Sequence, residues 1–583
     1  MSAFKAPLGD IHFLLFQVLD IEALLRSPVY AHLDGETVNT ILEEAARFTE
    51  EVLAPLNPIG DREGSYLEQD RVVTPSGFRE AYRRFVEGGW PTLDLPLEHG
   101  GQGMLQLVQT AFAEMVNGAC ASFGMLPLME RAAAKVLLAH ADPQLSETYL
   151  PHLVSGEWGA TICMSEAEAG SDVGRANTRA ERNSDGTYSL SGTKIFVTYG
   201  DHDFTDQIAH LLLARTPGAP EGTRGLSLFL VPKRIVDPSG SLGAANRVKV
   251  SRVEKKMGLK ASPTCIVNLD GAEGYLIGKE MAGLQNMFTM VNTMRLEVAT
   301  QGVAVAGVTT RMAVEYALER VQGSSEGKHG VLIVEHPDVR RMLMTMKAQT
   351  EGMRALVYET AKNLDLSIAG KSEEERREAL DLAEWLLPVC KATATDVGFD
   401  VANLCLQVYG GHGYISDHGV EQYVRDSRVM SIYEGTNGIQ AIDLLARKTA
   451  PDERRRFRVF CRRVRRDLEC YPGPKEIHAA LEESLGMLED CTTELCESLV
   501  NHRRDALAGA TPYLALAGHV GMAWMWLRMA ARSDSETPGQ GGKCKTAHFY
   551  AQHLMPACHS LTSQALAGAE TLDAMTPEEL SAN

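Results

Sequence analysis

The sequence predicts a multidomain, mainly α protein with an inserted β-domain and a further helical module at its C-terminal end. Three observations carry this. Apolar residues recur at helical spacing from about Leu33 to Leu153. Between Gly159 and Ile277 they alternate in short runs separated by Gly, Pro, Asp and Asn. From Leu284 the helical period returns and persists, with interruptions, through the remainder of the chain. At 583 residues the chain is several times the usual domain size, so roughly two to four domains are expected.

The elements follow in order. Residues 1–34 form an N-terminal extension whose run KAPLGDIHFLLFQVL is interrupted by Asp10, His12 and Gln17 and is not followed by a small-residue cleavage site. Residues 35–158 form a helical domain. In TVNTILEEAARFTEEVLAPL, Val38, Ile41, Leu42, Ala45, Phe48 and Val52 fall on one face, and Pro55 and Pro58 are expected to stop that helix. LPLEHGGQG is a glycine-rich turn ahead of another helical run. Residues 159–281 form the β-domain, with YSLSG, LSLFLVPK, NRVKVSRV and CIVNLDG as its strands. Residues 282–450 form a helical bundle of three long helices, about Leu284–Arg320, Pro337–Leu364 and Glu373–Tyr409, with Gly410 and Gly411 as the stop. Residues 451–583 form the additional helical module. It opens with eight arginines between Arg454 and Arg466 and contains a loop, Ser533 to Lys545, expected to be mobile.

Composition narrows the function classes. A formal net charge of −19 opposes general attraction to nucleic acid or anionic membranes. Eleven cysteines with no C-x-x-C pair fit free thiols in a reducing compartment, and zinc is unsupported. No stretch reaches the roughly 18 apolar residues that span a bilayer. A cytoplasmic protein without a membrane span is expected. The arginine run has three readings: a solvated face or intramolecular partner for the acidic body, a contact to the phosphates of a bound ligand or to another subunit, or a nucleic-acid contact.

The peptide SIYEGTNGIQ, Ser431 to Gln440, sets a carboxylate, Glu434, between an apolar pair and residues that interrupt helices. This reads as a loop between helices. A half-desolvated carboxylate there has a raised pKa suited to a general base, although an exposed glutamate ending a helix fits the same letters. Three further peptides carry small, hydroxylated or glycine residues in positions where a polar cofactor could meet the backbone: CMSEAEAGSD from Cys163, SGTKIFVTYG from Ser191 and QVYGGHGY from Gln407; a fifth peptide, YALERVQG from Tyr316, lies between the last two. In this order and spacing the five peptides resemble the signature peptides of the FAD-dependent acyl-CoA dehydrogenase family. The resemblance covers about residues 35–450, and the N-terminal run and C-terminal module further resemble a large bacterial subgroup of that family.

The resemblance implies an α-helical domain, a β-barrel-like domain and a helical bundle, with FAD as cofactor. It implies that Glu434 is the catalytic base that removes the α-proton of an acyl-CoA, with a trans-2-enoyl-CoA as product. By the same match Ser165 and Ser171 bind the flavin, Phe196 and Thr198 pack on and hydrogen-bond its ring, and Thr436 is the hydroxyl following the base. Arg320 is matched to an arginine meeting the flavin pyrophosphate of a neighbouring subunit, and Gln407, Gly410 and Gly411 to the peptide that approaches the adenosine diphosphate. A homodimer is therefore implied. Arg295, Asn292 and Gly435 fall on the substrate side. The sequence departs from the common pattern at Gln322 and Pro337, at Gly438, and at Ala167 and Glu168. The subgroup implies 3-methylmercaptopropionyl-CoA or a short to medium straight-chain acyl-CoA as substrate and an electron-transfer flavoprotein as acceptor. An acyl-CoA oxidase using dioxygen, and a weakly active flavoprotein that binds nucleic acid, are the alternatives.

Overall fold

The computed structural model describes residues 4–237, 240–534, 537 and 540–582. In the helical domain, α1 (Gly35–Phe48) starts at Asp34, whose carboxylate accepts from the Thr37 backbone N–H. Pro55 and Pro58 do not stop the helical path. A π-helical turn at Thr49–Leu53 runs on to a helix at Leu56–Glu63, with Pro55 as its N-cap and Pro58 in its first turn. Proline is tolerated there because first-turn N–H groups have no intrahelical acceptor. The long helix α2 (Gln106–His140) departs from helical geometry at Cys120 (φ −158°, ψ 92°). Its N-terminus is capped from far away in sequence: Asp365 accepts from the Gln106 N–H at 2.8 Å and the Leu107 N–H at 2.9 Å.

The β-domain contains β1 (Gly159–Cys163), β2 (Arg179–Arg182), β3 (Tyr188–Thr198), β4 (Ile208–Arg215), β5 (Leu226–Pro232), β6 (Val248–Val253) and β7 (Thr264–Ile277). The sheet runs β6-β7-β3-β2-β4-β1, and β5 pairs with both β7 and β4. That double pairing closes β7-β3-β2-β4-β5 into a ring, which makes the domain barrel-like, with β6 and β1 each paired on one side only. β4 (IAHLLLAR) is buried on both faces along most of its length, as is β5, so neither shows the alternating burial of β3 and β7.

The bundle comprises α3 (Gly283–Glu319), α4 (Pro337–Ala369) and α5 (Glu373–Tyr409), ended by Gly410 at φ +61°. α3 and α5 cross at Gly302 and Gly398. A Cβ at Gly302 would lie 2.1 Å from the Ala394 carbonyl oxygen, so the two backbones approach closely only because no side chain intervenes. Beyond the base peptide, α6 (Asn437–Asp443) leads into the module of α7 (Arg455–Cys470), α8 (Lys475–Asn501), α9 (Ala510–Arg532) and α10 (Lys543–Phe549).

The arginines of α7 act as intramolecular partners for the acidic face of α5. Arg455 reaches Asp381 at 2.7 Å, Arg456 reaches Glu384 at 2.8 Å and Arg462 reaches Glu378 at 2.6 Å. The loop read over Ser533 to Lys545 lies partly outside the described residues, and its end is not loop. Lys543 begins α10, and its buried ammonium contacts Asp10 at 2.7 Å and Glu351 at 3.0 Å. The N-terminal extension is likewise integrated, with Ile11, Leu14, Leu15 and Val18 buried and the Val18 carbonyl accepting from Arg528 of α9. No helix among the described residues is long and apolar enough to cross a membrane.

The α3–α5 crossing yields a test. Gly302→Ala should destabilise the protein by about 1–3 kcal/mol, because the new methyl meets backbone that can move only by separating the helices. Chemical denaturation followed by circular dichroism measures this, and a midpoint equal to that of the wild type would contradict the close crossing.

Candidate active site

Glu434 lies in the turn between a 3₁₀ segment (Arg428–Ser431) and α6. Its φ of +53° is left-handed, and Gly435 follows at +87°. A left-handed glutamate costs about 1–2 kcal/mol, so neighbouring contacts must impose it. They are present. Gln440 donates from Nε2 to the carbonyl oxygens of Glu434 at 3.2 Å and Gly435 at 3.3 Å. The Lys391 ammonium, on α5, donates to the Gly435 carbonyl at 2.8 Å and to Asn437 Oδ1 at 3.0 Å. One residue before Glu434, the Tyr433 hydroxyl donates to Gln301 Oε1 on α3.

Two properties of Glu434 follow from this placement. Its backbone N–H has no hydrogen-bond partner among the described residues, because the turn takes it out of both flanking helices. Its side chain is half-buried by surface area yet deeply enclosed, and burial pushes the carboxyl up to about 7, with Lys391 drawing it partly back. Thr436 caps α6, its hydroxyl accepting from the Ile439 N–H at 3.3 Å. Gly438 is exposed.

Of the residues expected on the substrate side, Gly435 is in this turn, while Asn292 and Arg295 lie one helical turn apart on α3. Arg295 is buried and directed to Asp443 Oδ2 at 2.7 Å, which ties α3 to the helix that follows the base.

The β-domain residues form a second group. The Ile195 N–H donates to the Ser165 carbonyl at 2.9 Å, joining the Ser165 loop to the strand bearing Phe196 and Thr198. Ser165 and Thr198 are half-buried, and Ser171 is exposed. Phe196 is 62% exposed and has φ +56°, so a large aromatic side chain is displayed by strained backbone at the end of β3. The loop is braced from below. The fully buried Lys194 ammonium contacts Glu166 Oε1 and the Leu213 carbonyl, both at 2.7 Å. Glu166 also accepts from the Thr178 hydroxyl at 2.6 Å and from the Asn177 and Thr178 N–H groups. Tyr199 then anchors the strand end to the helical domain through the Ser122 carbonyl at 2.9 Å.

Arg320, Gln407, Gly410 and Gly411 form a third group at one end of the bundle. Tyr316 stacks on Tyr409 with centroids 4.0 Å apart and its hydroxyl meets His412 Nδ1 at 2.9 Å, which brings the ends of α3 and α5 together. A Cβ at Gly410 or Gly411 would meet nothing within 4 Å. Open backbone, a displayed aromatic ring and hydroxylated loops fit a large planar cofactor with a diphosphate tail. No hydrogen bond, ion pair or ring contact among the described residues joins this third group to Ser165, Ser171, Phe196 or Thr198.

The sequence reading missed Lys391, Asn437, Gln440, Gln301, Lys194 and Glu166. For Lys391 a signal was present: it is the one charged residue in the apolar run from Trp385 to Ala394. Gln440 looked like an ordinary helix residue, and nothing in its neighbourhood distinguishes it.

Comparison with known proteins gives this geometry a family. The N-terminal, middle and C-terminal domains of acyl-CoA dehydrogenases match residues 35–157, 161–272 and 281–449. The chain belongs to the acyl-CoA dehydrogenase family. Residues 457–576 of this acyl-CoA dehydrogenase match a further domain described as acetyl-CoA dehydrogenase C-terminal like. The chain is 40% identical over 571 residues to the 3-methylmercaptopropionyl-CoA dehydrogenase of Ruegeria pomeroyi, covering 95% of this chain and 96% of that one. It is 31% identical to a broad-specificity linear acyl-CoA dehydrogenase of Mycobacterium tuberculosis, covering 98% of each. Caenorhabditis elegans ACDH-11, solved in complex with C11-CoA, shares the fold with a TM-score of 0.79 at 22% identity, over 99% of this chain and 97% of that one.

The brace beneath the Ser165 loop can be tested separately from catalysis. Lys194→Met leaves the Glu166 carboxylate without its ammonium and should weaken retention of added FAD by at least about tenfold, equivalent to about 1.4 kcal/mol. Equilibrium titration with FAD measures this, and unchanged affinity would show that the loop holds its shape without the ion pair.

Proposed function

We propose that this family member oxidises an acyl-CoA thioester to the trans-2-enoyl-CoA with Glu434 as the base. The observation that carries the reading is the Glu434 turn itself. A carboxylate titrating near neutrality and an unpartnered N–H belong to the same residue in a chain of this family. The carboxylate takes the proton from the substrate α-carbon. The free N–H of Glu434 donates to the thioester oxygen, where negative charge accumulates as the proton leaves, and a preorganised donor there lowers the barrier. Enclosure of the carboxylate increases its basicity towards a carbon acid.

FAD would be held by the Ser165, Ser171, Thr198 and Thr436 hydroxyls, with Phe196 packing against its ring. When bound, it supplies an acceptor for the substrate's β-hydride. Arg320, Gln407, Gly410 and Gly411 would serve the diphosphate and adenosine of a partner subunit's cofactor in a homodimer, consistent with their separation from the β-domain residues. Arg320 suits this role because a guanidinium binds phosphate oxygens bidentately. On the substrate side, Asn292 and Gly435 line the approach to the base, and Arg295 acts by anchoring α6 through Asp443. The proposed substrate is 3-methylmercaptopropionyl-CoA or a short to medium straight-chain acyl-CoA, supported by the 40% identical relative. An electron-transfer flavoprotein is the proposed acceptor. Peroxide formed in air at the rate of turnover would instead assign an oxidase.

Anaerobic mixing of the FAD-loaded protein with a panel of acyl-CoAs should bleach the oxidised-flavin band. Glu434→Gln should slow bleaching by about 10²–10⁴-fold while leaving FAD bound. The active form is the deprotonated carboxylate, so the wild-type rate should rise with pH and level off above about 7. Equal bleaching by Glu434→Gln would remove the base assignment.

A further inference from the structure

Lys391 is 0% exposed, which is unusual for an ammonium group. A buried charge is costly unless it is compensated. Among the described residues no carboxylate lies within ion-pair distance of Nζ. Its two protein partners are instead neutral oxygens, the Gly435 carbonyl and Asn437 Oδ1, the first and third residues after Glu434. Asn437 is itself fixed by α5, donating from Nδ2 to Asp396 Oδ1 at 2.8 Å and to the Ala392 carbonyl at 3.2 Å. The lysine therefore joins the base turn to α5 from inside the protein.

We propose that Lys391 is a positioning residue: it locks the left-handed Glu434–Gly435 turn, so aiming the Glu434 N–H and carboxylate, and it supplies the fixed positive charge nearest to the base. This rests on the reading of Glu434 as the base.

The charged and titratable surroundings agree. Burial pushes Lys391 down to about 8, and the first group opposing this is Glu434, followed by Asp396. The influence is mutual, since Lys391 is the charge that draws Glu434 down against burial. Asp396 and Asp400, on the same helix as Lys391, are both raised by burial. Arg295, from α3, is paired with Asp443, and Arg428, from the segment before the base, donates to Ser431 Oγ. Tyr433 is raised by burial and by the neighbouring Glu434. Of these three cations Lys391 is the one that hydrogen-bonds the peptide following Glu434, and among the described residues no carboxylate pairs with it directly. Hydrogen-bonding to the peptide that sets the Glu434 backbone lets one side chain control both the aim and the ionisation of the base.

The test compares wild type, Lys391→Met and Lys391→Gln, each loaded with FAD, by the pH dependence of anaerobic flavin bleaching with an acyl-CoA that reduces the wild type. In Lys391→Met the midpoint of the rate profile should rise by roughly one pH unit, because the charge stabilising the carboxylate is gone. The plateau rate should fall about a hundredfold, because the turn is no longer held. Lys391→Gln keeps a donor for the Gly435 carbonyl, so it should recover part of the plateau while retaining the raised midpoint. A structural role alone would lower stability or the plateau without moving the midpoint. Profiles of either folded variant that superimpose on the wild type overturn the proposal; if Lys391→Met does not fold, the Lys391→Gln midpoint decides. Failure of the wild type to bleach with every thioester refutes the base assignment itself, whereas a wild type that bleaches beside unaltered variants refutes the role of Lys391 alone.

Discussion

The site depends on how closely α3 and α5 cross. Gly302 and Gly398 bring the two backbones together, and the residues beside the crossing then reach the same turn from two sides. Gln301 precedes Gly302 and receives the Tyr433 hydroxyl, while Lys391 and Thr395 lie on α5 near Ala394 and meet the peptide after the base. With wider helix spacing, one side of that turn would lose its support. A left-handed, non-glycine residue then relaxes, because the cost of about 1–2 kcal/mol per residue is of the same order as one or two hydrogen bonds. A packing constraint at two glycines thus fixes the direction of a peptide N–H in a neighbouring loop.

Three buried glutamates show how partners decide chemistry. Burial would raise Glu359, but Arg528 at 2.7 Å overrides it and holds the carboxyl at about 2. Such a group remains ionised and its proton affinity is too low for a base. Glu130 is pushed up to about 8 by burial, with only the Tyr82 hydroxyl opposing, yet it is enclosed beneath aromatic side chains. Glu434 combines the needed features: a value near 7, partial access, and a cation close enough to tune it but directed to its neighbour's carbonyl. A raised carboxyl marks an active site only together with access and a free donor.

The layering of helical, β and helical regions was legible in the sequence because it rests on periodicity, which local spacing encodes. The long bundle helices were legible for the same reason; proline marked the start at Pro337 and glycine the stop at Gly410, while the helix expected to end at Leu364 runs on to Ala369, before Gly370. β4 was missed because its letters, IAHLLLAR, do not alternate; β5 is buried as fully, but its LSL start shows the period of two. Pro58 misled because its effect depends on whether it falls in a first turn, a matter of one or two residues. At the site, the flanking glycine, threonine and asparagine made the loop around Glu434 legible, while a base role for Glu434 was implied only by the family resemblance. Gln301 and Lys391 were not read because their partners lie 132 and 44 residues away, although Lys391 stood out as a lone charge in an apolar run; Gln440, only five and six residues from its partners, looked like an ordinary helix residue. Arg295 was placed near the base, but its commitment to Asp443 is visible only once the helices are packed.

The extension and the module meet where the chain's early and late residues come together. Arg528 reaches the Val18 carbonyl across 510 positions, and Lys543 reaches Asp10 across 533. Arg354 of α4 contributes to the same cluster, bridging Asp10 and Glu114 of α2. This has a consequence for biosynthesis. The apolar face of Phe13, Leu14, Leu15 and Val18 is synthesised more than 500 residues before Arg528 and Lys543, the groups that fasten it over Val18 and Asp10. Until those residues are added that face lacks part of its docking surface, which leaves an apolar segment of the growing chain incompletely covered.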